Sequence, residues 1–259
     1  NYGDEYKVMG LSSYGEPKYV DLISKLINKK NEGFELNLEY FIHHKKNIQS
    51  TNSLGQAVYD NLYSKNLINL LGEERKKNET ITTKHMDLAK STQVVYEDIF
   101  FHILNSLHKK YKNDNLSLSG GCAMNSVANG KIIKNSAFKN IYVSPNPGDA
   151  GGAIGSSCVH ISKNLKQKIE VKNYAYLGSS YDSKEIKEIL DNNSIISKYK
   201  FEYFSDEELS EKISKKLTES KIIGWFQGET EWGPRALGNR SIIADARNPK
   251  IKDIINSKI

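Results

Sequence analysis

Two strand–glycine–helix patterns in the middle of the chain limit its fold more than any other feature. In the first, Leu116-Ser117-Leu118-Ser119 reads as a short strand running into Gly120-Gly121, with a small-residue helix from Ala123 to about Lys134. In the second, Asn140–Ser144 reads as a strand ending in Pro145-Asn146-Pro147-Gly148-Asp149, and Ala150-Gly151-Gly152-Ala153-Ile154-Gly155 opens another helix. Strands that alternate with helices argue for an α/β layer.

The flanking sequence fits that class. Residues 17–29 follow a helical pattern after Pro17, Leu54–Leu71 is apolar at helical spacing with Gly72 as a stop, and Thr80–Tyr111 reads as one long helix. Its expected buried stripe is Met86, Leu88, Ala89, Val94, Val95, Ile99, Ile103, Leu104 and Leu107. Residues 163–173 are polar and read as a linker. Beyond them come a strand at Tyr174–Gly178, a helix at Ser183–Asp191, a strand at Phe201–Phe204, a helix at Asp206–Ser220 and a strand at Lys221–Phe226. The expected division is therefore one domain over 1–165 and the opening of a second over 174–259.

Composition narrows the function classes. A chain of 259 residues is long enough for one large domain or two smaller ones, and its 25 aromatic residues argue against disorder. No apolar run approaches the roughly 18–20 residues of a membrane span, and no basic n-region with an apolar h-region opens the chain. The start at Asn1-Tyr2-Gly3-Asp4 and the end at Ile259 read as the limits of a fragment. Cys122 and Cys158 lie in small-residue stretches that read as core, without a CxxC, so a reducing cytoplasm is expected. The formal charge of +6 comes with lysines spread among acids, which reads as solvated helix faces rather than a nucleic-acid surface.

Four segments carry chemistry. Gly120-Gly121 and Gly148–Gly152 deliver glycines to helix starts, where backbone N–H groups can approach an anion; the same pattern also makes ordinary tight turns, and neither is a P-loop. Asp149 can coordinate a metal, bind a ribose or simply cap the next helix, and capping is the commonest use of an Asp there. The six histidines form no i, i+4 ligand face and read as structural or solvent-facing. The fourth segment is Gly228-Glu229-Thr230-Glu231-Trp232-Gly233-Pro234-Arg235-Ala236-Leu237-Gly238-Asn239-Arg240-Ser241. Of 37 basic residues only four are Arg; Arg235 and Arg240 lie in this segment and Arg247 just beyond it, away from Arg75. Guanidinium groups hold planar anions bidentately where lysine cannot. Arg235, Arg240 and Ser241 are thus expected to meet a phosphate or carboxylate, with Glu229 and Glu231 orienting the arginines; an Arg–Glu network that only braces the turn is the alternative.

At these residues the sequence resembles the O-carbamoyltransferases of the nodulation and antibiotic-biosynthesis type. The resemblance runs through Asp4–Gly15, Ser119–Asn125 with Ala128-Asn129-Gly130, Gly148–Gly155, and Gly224–Gly228 through Ala244; Glu-x-Gly-Pro-Arg-Ala-Leu-Gly-Asn-Arg-Ser is its most specific part. It implies the C-terminal part of an actin-like, hexokinase-type (ribonuclease H-like) ATPase half-domain, then the start of an α/β module like threonylcarbamoyl-adenylate synthases.

The same resemblance implies an activity and a site. The second module would make carbamoyl-adenylate from ATP and carbamoyl phosphate, and the first would pass the carbamoyl group to a hydroxyl of a sugar, glycan or secondary metabolite. Asp149 matches a ligand of the family's metal, typically iron, whose two other ligands come from an HxxxH motif that this sequence lacks; Mg2+ would accompany ATP. Gly120, Gly121, Asn125 and Gly151 match nucleotide-cradling turns, and Glu5 and Lys7 fall where ribose contacts lie. Arg235, Arg240 and Ser241 match the carbamoyl-phosphate loop, and Asp149, Arg235 and Arg240 form the implied catalytic set. The chain alone is then expected to be inactive, with no membrane or nucleic-acid partner. A metabolite kinase of the same superfamily and a non-catalytic nucleotide- or RNA-binding module are the alternatives.

Overall fold

The computed structural model describes residues 5–45, 52–55, 61–76, 78–169, 175–192 and 199–258. The chain divides into two compact units, Asn1–Val143 and Ser144–Ile259. Both mix helices with small sheets, and the described residues form three two-stranded sheets.

The first unit is organised by one helix. Its elements are α1 (Glu5–Leu11), α2 (Val20–Ile23), β1 (Ile27–Lys30), β2 (Gly33–Leu36), α3 (Lys65–Leu71), α4 (Thr83–Tyr111), β3 (Asn115–Leu118), α5 (Ser126–Asn129), α6 (Ile132–Asn135) and β4 (Asn140–Val143). The 29-residue α4 starts in a capping box between Thr82 and His85 and ends at Lys112 in the left-handed region. Ala89, Val95, Ile99 and Leu104 of the expected stripe are buried, whereas Leu107 is exposed. Leu104 joins Leu116, Ile132 and Phe138 in a core cluster, with Phe100, Phe101, Leu118 and Ile141 packed around it.

α4 also buries polar residues that an apolar stripe does not reveal. The Asp87 carboxylate accepts from the Glu16 amide at 2.7 Å and from Lys18 Nζ at 2.9 Å. Ser91, fully buried, accepts from the Tyr19 amide at 2.9 Å and donates to the Asp87 carbonyl. Gly15 lies so close to α4 that a Cβ there would come within 2.0 Å of the Met86 carbonyl oxygen. The segment from Gly15 to Tyr19 is therefore strapped to α4 by hydrogen bonds from its amides and Lys18 to the Asp87 and Ser91 side chains.

The α/β expectation is met at β3 and β4. They pair in parallel, Leu116 opposite Ile141, joined by the helical crossover a parallel pair requires. That crossover is broken where one helix was expected. A 3-10 turn covers Gly121–Met124, Asn125 leaves helical geometry and caps α5 through the Ala128 amide, and α6 follows separately. Three further expectations are corrected. The pattern at 17–29 is helical over Val20–Leu26, as the short α2 and a 3-10 turn at Ser24–Leu26, and stops there because Ile27–Lys30 pairs antiparallel with Gly33–Leu36 instead. Among the described residues of Leu54–Leu71, only Lys65–Leu71 is helical: Ser64 caps it, Gly72 at φ +96° ends it, and Tyr63 bridges to Phe41. Residues 56–60 of that expected helix lie outside the described residues. Cys122 is exposed and Cys158 half-buried, so neither is core; the turn at Gly120–Met124 faces Cys122 outward.

The second unit contains α7 (Gly152–Lys163), α8 (Ser183–Asn192), α9 (Asp206–Thr218), β5 (Ile223–Phe226), β6 (Arg240–Ile243) and α10 (Ile251–Lys258). α9 opens with a capping box between Ser205 and Glu208. β5 and β6 pair antiparallel, with Phe226 opposite Arg240 and Ile223 opposite Ile243. Phe201–Phe204, expected as a strand, pairs with no strand among the described residues. The expected strand at Tyr174–Gly178 is also absent over 175–178, and Tyr174 lies outside the described residues, as do 170–173 of the expected linker. Among the described residues, no helix is long and apolar enough to cross a membrane.

Candidate functional site

The loop between β5 and β6 is closed at its base by the hairpin. The Gln227 amide donates to the Asn239 carbonyl at 3.0 Å, and Asn239 Nδ2 returns a bond to the Glu229 carbonyl at 2.7 Å. One wall is held by the segment 175–179: the Gly178 amide donates to the Thr230 carbonyl at 3.0 Å, the Thr230 amide donates to the Ser179 carbonyl at 3.1 Å, and the Trp232 amide donates to the Ala175 carbonyl at 3.1 Å. Tyr176 adds a hydroxyl bond to the Leu237 carbonyl at 3.0 Å. That contact is 61 residues apart in sequence, and no local pattern announces it. Gly233 meets the preceding turn closely, since a Cβ there would lie 2.2 Å from the Pro145 carbonyl oxygen. Only glycine permits that approach.

Inside the loop sits Glu231, 2% exposed. Its Oε1 accepts from the Leu237 amide at 2.6 Å and the Asn239 amide at 2.9 Å, while Oε2 accepts from Arg240 Nε at 2.9 Å. Arg240 Nη2 also donates to the Gly233 carbonyl at 3.1 Å. Burial alone would raise the carboxyl's pKa, but the Arg240 guanidinium and the two amides outweigh it and hold the pKa at about 2. The expectation for Glu231 is met: it orients Arg240. Glu229 contributes its carbonyl to Asn239 rather than its side chain to an arginine.

The three clustered arginines therefore differ. Arg247 forms a bidentate pair with Asp245, through Nε and Nη2, on an exposed surface. Arg240 is anchored along one edge, and its side chain keeps 39% exposure. Arg235 is exposed and makes no hydrogen bond or ion pair among the described residues. Ser241 follows Arg240 on a strand, so the two side chains leave the backbone on opposite faces. The strand by itself does not bring them together. The loop can thus offer an anion the whole Arg235 guanidinium and the open N–H groups of Arg240.

The other expected site residues are placed as follows. Asp149 begins a 3-10 turn, exposed, with no capping bond and no partner among the described residues. The capping role that its local pattern favoured is absent. Gly151 is required by its own turn, because a Cβ there would come within 2.1 Å of the Asn146 carbonyl oxygen. Gly120 adopts φ +90°, and an added Cβ at Gly120 or Gly121 would meet nothing within 4 Å, so that turn is open to approach. Asn125 is committed to a reciprocal amide pair with Gln93 on α4, at 3.0 and 3.2 Å. Glu5 and Lys7 are exposed on α1. Among the described residues, no three His, Cys, Asp or Glu side chains gather to hold a metal. Asp149 alone is a single hard donor, so the described residues do not make up the centre that the resemblance implies.

Comparison with known proteins agrees with the resemblance. The family model described as the N-terminus of carbamoyltransferases matches residues 1–158, and the one described as their C-terminus matches 214–259. The chain belongs to the carbamoyltransferase family. This carbamoyltransferase chain is 40% identical to the uncharacterized protein sll1178 of Synechocystis sp., covering 98% of this chain and 40% of that relative. It is 32% identical to nodulation protein NolNO of Sinorhizobium fredii, covering 98% and 34%. It is 31% identical to nodulation protein NolO of Bradyrhizobium diazoefficiens, covering 99% and 42%. The carbamoyltransferase chain thus spans about two fifths of the length of these curated relatives or less. The arginine loop falls inside the C-terminal match, and the Gly120 and Asp149 turns fall inside the N-terminal one.

Proposed function

We propose that the whole protein is an ATP-dependent O-carbamoyltransferase. Carbamoyl phosphate gives up phosphate to water, the resulting carbamate oxygen attacks the α-phosphorus of ATP, and pyrophosphate leaves. A hydroxyl of a sugar, glycan or secondary metabolite then attacks the carbamoyl carbon of the adenylate, loses its proton, and AMP departs. The observation that carries this reading is the match of both family halves, in order, within one chain.

The loop geometry supports the donor side. Carbamoyl phosphate is a small dianion, and guanidinium groups fixed in a glycine-tight loop stabilise charge on a departing phosphate without reorganising. In this reading Arg235 and Arg240 hold the anion, while Ser241 leaves β6 on the face opposite Arg240; the open turn at Gly120-Gly121 cradles nucleotide phosphates, and Asn125 and Gly151 shape the two turns. Glu5 and Lys7 lie toward the ribose. Asp149 serves as one metal donor among others that this sequence does not contain.

The test is a product assay on the full-length protein. Pyrophosphate should appear from ATP only when carbamoyl phosphate is present. Equal ATP turnover without carbamoyl phosphate would overturn the proposal, and ADP with a phosphorylated acceptor would identify a kinase instead.

A further inference from the structure

Glu231 is only 2% exposed, yet its carboxylate is held by three donors: two amides on one oxygen, a guanidinium on the other. Burying a charge is costly unless every lone pair finds a donor. The pair Asp245–Arg247, only a few residues away, shows what a merely structural bridge looks like on this surface. There the carboxylate takes both Nε and Nη2 of an arginine that is 75% exposed. Glu231 instead takes only Nε, and the Gly233 carbonyl takes one Nη2 proton. A guanidinium has five N–H donors, so three remain, on a side chain that keeps 39% exposure. Arg240 is pinned on one edge and presented on the other.

The same carboxylate fixes the backbone on the far side of Arg235. Leu237 and Asn239, whose amides it accepts, lie two and four residues after Arg235, and Glu231 itself lies four before. One buried oxygen therefore sets the span of chain that carries the unpaired guanidinium.

We infer that Glu231 is the positioning residue of the anion site: its buried carboxylate aims Arg240 and fixes the arc that carries Arg235, so that both meet one small dianion of the carbamoyl-phosphate class. Glu231 acts through the arginines and touches no substrate. The inference rests on the carbamoyl-phosphate reading of this loop.

A Gln at 231 keeps the shape but removes the charge and brings an NH2 group among three donors. Losing a hydrogen bond to a charged group is worth about 1.5–3 kcal/mol, which is roughly tenfold or more in affinity. In full-length protein, calorimetric titration with carbamoyl phosphate should show Kd rising about tenfold in E231Q, and the KM for carbamoyl phosphate should rise in parallel. R240K should give a similar rise. The double variant E231Q/R240K should be no worse than the worse single one, because both changes disable one unit. Thermal melts establish that each variant is folded; should E231Q fail to fold, E231D, which keeps the charge but shortens the reach, is read in the same cycle. Unchanged affinity in a folded Glu231 variant, or additive effects with R240K, would overturn the positioning role. If wild-type protein binds carbamoyl phosphate but releases pyrophosphate without needing it, the proposed function fails while the positioning role stands. If wild-type protein does not bind it at all, both fail.

Discussion

At the scale of single residues, burial separates members of a motif that look equivalent in sequence. Glu229 and Glu231 are two positions apart, but only Glu231 is enclosed and turned onto Arg240. Its carboxyl pKa lies at about 2, below the ordinary 4.5, because donors outweigh the desolvation that pushes the other way. A depressed carboxyl contributes stability that is fully present above 4.5 and is lost as pH falls toward 2. The only two tryptophans, Trp225 and Trp232, flank this carboxylate in sequence and report on it. Their fluorescence should change in acid across that window in wild-type protein, and E231Q should lack that step. A step of the same size and midpoint in E231Q would contradict the assignment. The three arginines were legible as a cluster. That Arg247 is neutralised, Arg240 half-held and Arg235 open was not, because each outcome depends on which carboxylate the folded backbone delivers.

At the scale of elements, apolar periodicity located α4 well and missed what α4 does. Its extent follows from the pattern, within three residues at the start, whereas Asp87, Ser91 and Gln93 are buried for the sake of other segments' polar groups. Ser91→Ala would leave the Tyr19 amide without its acceptor, at a cost of about 1–3 kcal/mol for a buried unsatisfied donor. Thr92→Ala, one residue on, removes an exposed hydroxyl bond within α4 itself and should change stability by less than about 0.5 kcal/mol. Urea melts of the two variants check the contrast, and equal losses would refute the strap. Hydrogen exchange at Tyr19 should quicken only with Ser91→Ala. The short elements were read less well, for a related reason. Four-residue helices such as α2, α5 and α6 carry too few positions for a period to show, and Phe201–Phe204 has strand alternation without a partner strand.

At the scale of the whole molecule, the two family matches put an open glycine turn and an arginine loop in one polypeptide. If the proposed function holds, Arg235→Lys in the full-length protein should lower carbamoyl-phosphate-dependent turnover by about tenfold or more, since a point charge does not replace a planar fork. Near wild-type rates in a steady-state assay would remove Arg235 from the anion site. The sequence by itself determined the mixed α/β class, the long α4, the parallel unit around Gly120, the family and the position of the arginine loop. Those features rest on local periodicity, on glycine and proline, and on residue types that few other chemistries require. Only the tertiary structure decided that Glu231 is the enclosed carboxylate, that Asp149 caps nothing, that Asn125 is paired with Gln93, and that Gly233 must be glycine beneath Pro145. The contacts of Glu231, Asn125 and Gly233 reach six to about ninety residues along the chain, and a hydrogen bond or a steric limit between distant segments leaves no periodic trace in either one.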